Sequence, residues 1–133
     1  VYKNKTMNKF FILLFLLSNL TFGFAQNEIH QKTIDTFISN FNQENFEAIF
    51  NQYSAKMKKY VLDKRNSKTK FFEMVKSHSG KINFLQLLEL KETPNYTYYR
   101  YNGTFENENL SVEFYIDKLG VITGLYIRKL NLM

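Results

Sequence analysis

The hydrophobic period of this chain switches near Lys81, and that switch limits the folds open to it. Ahead of it, Ile34, Phe37, Ile38 and Phe41 fall at i, i+3, i+4 and i+7, and Phe46, Ile49, Phe50 and Tyr53 repeat the spacing, which places each set on one helical face. Beyond it, apolar and polar residues alternate: in SVEFYID, Val112, Phe114 and Ile116 interleave with Ser111, Glu113, Tyr115 and Asp117, the period of a strand. Two amphipathic helices therefore follow each other, and the NQEN stretch from Asn42 to Asn45 supplies capping side chains and an acid for the second start. A third helix is expected from an N-cap at Ser67 through Ser77, with Phe71, Met74 and Val75 on one face and Gly80 as its stop. The period of residues 54–66 is ambiguous. Strands are expected near 82–91, 95–106, 109–117 and 121–129, with turn chemistry in ETPN and DKLG. Helices gathered ahead of strands predict an α+β domain, N-terminal helices packed on one face of a curved four-stranded antiparallel sheet.

The N-terminus has the form of a secretory signal peptide. Lys3, Lys5 and Lys9 precede the apolar run FFILLFLL from Phe10 to Leu17, and the small residues Gly23 and Ala25 follow. Extended to Leu20, the run is only about half of the roughly 20 residues that span a bilayer, which argues against a permanent anchor. Residues 1–25 are thus expected to be removed after Ala25, with residues 1–6 lying upstream of the first methionine, Met7. Residues 26–133 then form a single domain, periplasmic or secreted. Without the three lysines of residues 1–25, the 18 cations fall to 15 against 12 carboxylates, so much of the basicity belongs to the leader. A domain of about this size buries roughly two thirds of its unfolded surface. Cysteine is absent, which excludes disulfides, a lipid-modified N-terminal cysteine, thiolate metal ligands and thiol nucleophiles.

Three stretches carry a family resemblance: FNQENFEAIFNQYSAKM, the helix end SGKI, and the closing strands DKLGVITGLYIRKL. Together they look like the small nuclear-transport-factor-2-like domains of unknown function found in exported bacterial proteins, which sometimes precede a serine-hydrolase domain. The resemblance covers nearly all of residues 30–130 and rests on structural motifs. It implies a cone of sheet wrapped around helices with an open end that often forms a pocket, and it carries over no hydrolase activity.

The densest aromatic stretch is NYTYYRYNG, residues 95–103, with four tyrosines in six positions. As a strand it places Thr97, Tyr99, Tyr101 and Phe105 toward the core and Tyr96, Tyr98 and Arg100 outward, beside Tyr115 and Tyr126 of later strands. That outer set reads either as cross-strand aromatic packing or as a binding face in which Arg100 adds a cation–π contact. Charge concentrates elsewhere: from Lys56 to Lys70 the chain holds Lys56, Lys58, Lys59, Lys64, Arg65, Lys68 and Lys70 against Asp63 alone. Such a cluster is either a solvated connector or a contact for an anionic envelope surface.

Catalytic signals are sparse. The two histidines, His30 and His78, fall on apolar stripes, and Glu73 or Asp35 would be the accompanying acid in a pocket enzyme of lyase, isomerase or hydrolase type. Structural roles compete: His30 sits where the first helix begins, and His78 where an imidazolium favours a helix C-terminus. No metal set is expected from two histidines without HxH or HxxxH spacing. No serine lies in Gly-x-Ser-x-Gly, and Gly103, Gly120 and Gly124 are too scattered for a phosphate loop and read as turn or bulge residues. The leading expectation is an exported, non-catalytic domain, without cofactor, that binds a protein partner or a small apolar ligand through the cone or the outer tyrosine face. A homodimer is among the partner options. Nucleic acid is not expected. A cone-pocket enzyme and adhesion through Lys56 to Lys70 are the rivals.

Overall fold

The structure, a computed structural model, describes residues 26–130, so the expected leader lies outside the described residues. Four helices precede four strands. Helix α1 occupies residues 26–42, followed by α2 (Phe46–Asn51), α3 (Ala55–Arg65) and α4 (Lys70–Ser79). The strands are β1 (Ile82–Glu92), β2 (Thr97–Phe105), β3 (Asn109–Ile116) and β4 (Ile122–Lys129), antiparallel throughout in the order β1-β2-β3-β4. The sheet is open, with β1 and β4 at its edges, and the fold is α+β as the periodicity requires.

The core forms where the helical stripes meet the inner face of the sheet. Phe37 and Phe41 of α1 are fully buried; Phe37 meets Phe114 of β3 edge to face at 5.2 Å, and Phe41 meets Phe105 of β2 at 5.9 Å. Phe72 of α4 completes the cluster against Phe37 and Phe46. Strand β2 alternates buried and half-buried residues along its whole length, with Thr97, Tyr99, Tyr101 and Phe105 inward. Polar fasteners fix the layers. Asn42 exchanges two hydrogen bonds with the backbone of Ile82, at 2.8 and 2.9 Å, tying the end of α1 to the start of β1. At the other end of the sheet, Thr33 donates to the Gly120 carbonyl at 2.7 Å. Gly120 has φ of +86°, and a Cβ there would sit 2.7 Å from Ile29, so both the turn and the approach of α1 call for glycine.

Several local expectations change. Residues 54–66 are helical: the Ser54 hydroxyl accepts from the Met57 amide, and Asn66 ends α3 in the left-handed region. Asn45 makes no side-chain cap, and the turn is closed instead by backbone bonds that Gln43, Glu44 and Asn45 donate to carbonyls of α1. Helix α4 begins at Lys70 rather than at Ser67, although the Ser67 hydroxyl does accept from the amides of Thr69 and Lys70. Its buried face is Phe72, Val75 and Ser79, with Met74 exposed, one position round from the expected stripe. Gly103 sits in regular register inside β2.

Candidate functional site

Helix α3 is held beside the free edge of β4 by the segment before it. The Ser54 amide donates to the Ile122 carbonyl at 2.9 Å, the Ile122 amide to the Gln52 carbonyl at 3.0 Å, and Tyr53 bridges Ile122 in parallel fashion. Met57 and Val61 pack toward the core. A groove of about 600 Å³ remains between helix and strand. Ser54, Lys56, Met57, Tyr60 and Arg65 form its helical wall, and Thr123 to Tyr126 its strand wall. Tyr60 and Tyr126 are 55% and 50% exposed, large rings left open on either element. A bulge between Tyr115 and Ile116 settles the direction of Tyr126, which pairs with Glu113 and so shares the outer face with it.

The outer tyrosines form one contiguous set. Tyr115 lies 4.9 Å from Tyr98, 5.2 Å from Tyr96 and 6.0 Å from Tyr126, centroid to centroid. At the centre is Glu113, only 7% exposed, which accepts from the Tyr98 hydroxyl at 2.5 Å and from Arg128 Nε at 2.8 Å. Burial, reinforced by the hydrogen bond to Glu113 and its negative charge, pushes the Tyr98 phenol well above its usual range. Among the described residues the cation over a tyrosine ring is Arg128, 5.0 Å from Tyr126, and not Arg100. Arg100 pairs with Glu89 at 3.2 Å, and hydrogen bonds from Lys91 and Arg100 hold the Glu89 carboxyl below its usual value. A hollow of about 300 Å³ lies on this face between Glu89, Lys91, Thr93 and the rings of Tyr96, Tyr98 and Tyr115.

Neither histidine meets a carboxylate. His30 is 1% exposed; its Nε2 faces the Asp117 carbonyl at 2.9 Å and its Nδ1 faces the Tyr99 hydroxyl at 2.7 Å. A carbonyl only accepts, so Nε2 carries the proton, and in the neutral ring Nδ1 accepts from Tyr99. Both nitrogens are thereby committed to holding α1 on the sheet. Asp35 accepts from Gln31 instead, and His78 and Glu73 lie exposed on α4. Among the described residues no hydrogen bond or ion pair joins any two of His30, His78, Asp35 and Glu73, and no group of three His, Asp or Glu could hold a metal ion.

The basic segment divides by partner. Lys59 pairs with Asp63 at 2.8 Å and Lys68 with Glu47 at 3.7 Å; Lys58 and Lys68 lie over Phe50. Lys64 and Lys70 form no ion pair among the described residues. Lys56 and Arg65 are the two members that line the groove, where they meet Tyr126 of the tyrosine set. This convergence escaped the sequence reading because helix and strand come from opposite halves of the chain. The Ser54 cap before Met57 was the one local signal for α3.

Four helices set against an open antiparallel sheet, with a groove at its last edge, define a small α+β domain. The family described as protein of unknown function (DUF3887) matches residues 35–125, and the chain belongs to that family. Comparison with curated proteins and with solved structures gave no match.

Proposed function

We propose that this protein is an exported, non-catalytic binding domain of the nuclear-transport-factor-2-like type, and that it takes a small ligand with an apolar body between α3 and β4. The groove carries this reading. Its volume of about 600 Å³ lies within the range of about 300–1,000 Å³ usual for small-ligand sites, and its lining of Met57, Tyr60, Leu125 and Tyr126 offers apolar surface with phenol tips. A non-catalytic role is supported by the histidines, one locked in the fold and the other, exposed, in no pair with an acid among the described residues, and by a lining that contains neither histidine nor carboxylate. Export is supported by the lysines and apolar run of residues 3–17. Intact-mass measurement of envelope material tests it: the first residue should be Gln26, and a mature chain retaining Phe10 to Leu17 would overturn it.

The groove is tested with N-phenyl-1-naphthylamine, a neutral apolar fluorophore. Its emission should rise on binding, and a Tyr60→Ala, Tyr126→Ala double variant, altered at two half-exposed positions, should weaken binding about five-fold or more at an unchanged melting temperature. Absence of binding, or equal binding by the double variant, would remove the reading.

A further inference from the structure

We infer that the occupant of the groove is an organic anion, an acidic group on an apolar or aromatic body, with its charge on the Arg65 guanidinium. This inference rests on the groove being a ligand site. The first observation is the sign of the lining, which includes Lys56 and Arg65 and no carboxylate. Elsewhere on the domain Lys59, Lys68, Lys76, Lys91, Arg100 and Arg128 each pair with a carboxylate, while Lys58, Lys64 and Lys70, like the groove cations, do not among the described residues. Among the described residues, neither Lys56 nor Arg65 makes an ion pair or a side-chain hydrogen bond. An anion adds a charge partner for these two exposed cations where the lining itself supplies none.

The second observation is that Arg65 is held in place. Its guanidinium carbon lies 3.9 Å from the centroid of the Phe71 ring, and Phe71 packs against the core. At that separation the guanidinium is in direct cation–π contact with the ring. Among the described residues its N–H donors meet no side-chain or backbone acceptor. A guanidinium presented in this way offers the planar fork that binds carboxylate, sulfonate or phosphate oxygens in pairs. The contact with Phe71 also limits the side chain's rotamers before any ligand arrives, which lowers the ordering cost of binding.

The third observation is spacing. Lys56 lies in the first turn of α3 and Arg65 at its end, nine residues or about 14 Å apart along the helix axis. Met57 and Tyr60 lie between them on the same wall, facing Leu125 and Tyr126 of the strand wall. An acid on Arg65 therefore places its apolar body along the rings, with Lys56 adding long-range attraction from the other end. Lys59, outside the lining, pairs with Asp63 at 2.8 Å, so it leaves no free charge to draw an anion away from the groove.

Two probes with the same body separate the anion from the apolar contribution: 1-anilinonaphthalene-8-sulfonate and neutral N-phenyl-1-naphthylamine. The sulfonate should bind about ten-fold more tightly, a preference of the size expected for hydrogen bonds to a charged group. That preference should shrink as salt shortens the screening length below about 8 Å. Arg65→Gln should remove most of it. Lys56→Gln, at an exposed position, should reduce it by a smaller factor, and this second variant decides the matter if loss of the Phe71 contact unfolds the first. Near-ultraviolet circular dichroism, recorded in parallel, confirms that each variant keeps native packing, since sulfonate dyes also bind loosened states. Equal affinity for the two probes, or an undiminished preference in both folded variants, would overturn the anion inference while leaving the groove standing. Failure of both probes to bind would take the groove with it.

Discussion

Tyr98 and Tyr96 lie two residues apart on the same outer face, yet they carry different burdens. The Tyr98 hydroxyl is one of the donors on Glu113, a carboxylate with 7% exposure. Removing a donor from a buried charged acceptor leaves a desolvation cost that the ring contacts cannot recover. Tyr98→Phe should therefore cost about 1–3 kcal/mol in a reversible denaturant titration, and Tyr96→Phe, which leaves Glu113 untouched, within about 0.5 kcal/mol. Equal effects would show that Glu113 does not depend on Tyr98. The alternation in NYTYYRYNG suffices to separate inner from outer tyrosines, because period 2 is a local property of the chain. The joining of Tyr98, Glu113 and Arg128 was not legible, since it depends on register among three strands. The direction of Tyr126 was hidden for a related reason: a bulge adds one residue to β4 opposite Tyr115 and resets the alternation.

At the scale of elements, α3 and α4 mark two limits of periodic reading. Helix α3 has a single buried residue, Val61, while Tyr60 and Leu62 on either side are exposed, so no apolar stripe could be read from it. Its existence rests on its ends, the Ser54 cap and the left-handed Asn66. In α4 a stripe exists, but KFFEMV allows two choices, and adjacent Phe71 and Phe72 differ by about 100° around the axis. Tertiary packing selects Phe72, which stacks on Phe46, and leaves Phe71 as the plate beneath Arg65. Phe72→Ala should cost about 3–5 kcal/mol by denaturant titration and Met74→Ala less than about 0.5 kcal/mol. The opposite order would mean that α4 is rotated by one position. The four strands fared better, each observed within two residues of expectation, because SVEFYID and its neighbours alternate cleanly and are bounded by turns.

At the scale of the molecule, burial of phenols makes stability sensitive to alkali. Burial, with smaller effects from Tyr99 and Asp35, pushes the Tyr101 phenol up to about 12, and burial likewise raises Tyr53, Tyr98, Tyr99 and Tyr115. A phenol that keeps its proton longer in the folded state stabilises the fold fully below the unfolded value near 10, and that contribution disappears as pH rises through the folded value. Tyr101 alone accounts for a loss of about 2–3 kcal/mol between pH 10 and 12. Tyrosinate absorbance should accordingly rise in two stages, with the later stage coincident with loss of the far-ultraviolet dichroism. Ionisation of all phenols near pH 10 with the fold intact would refute this.

The fasteners between α1 and the β3–β4 turn also set a timetable. Neighbouring strands are consecutive in sequence, so the sheet can grow one hairpin at a time, but His30 and Thr33 reach Asp117 and Gly120 across 87 residues. Phe105 and Phe114, which cover Phe41 and Phe37, also come late in the chain. During synthesis from the N-terminus, α2 and α4 can cover part of the α1 stripe early through Phe46 and Phe72, but the side that meets Phe105 and Phe114 waits until nearly the whole domain has been made. Whatever shelters that exposed side in the interval acts on the side of α1 that faces the sheet, the part of the core completed last.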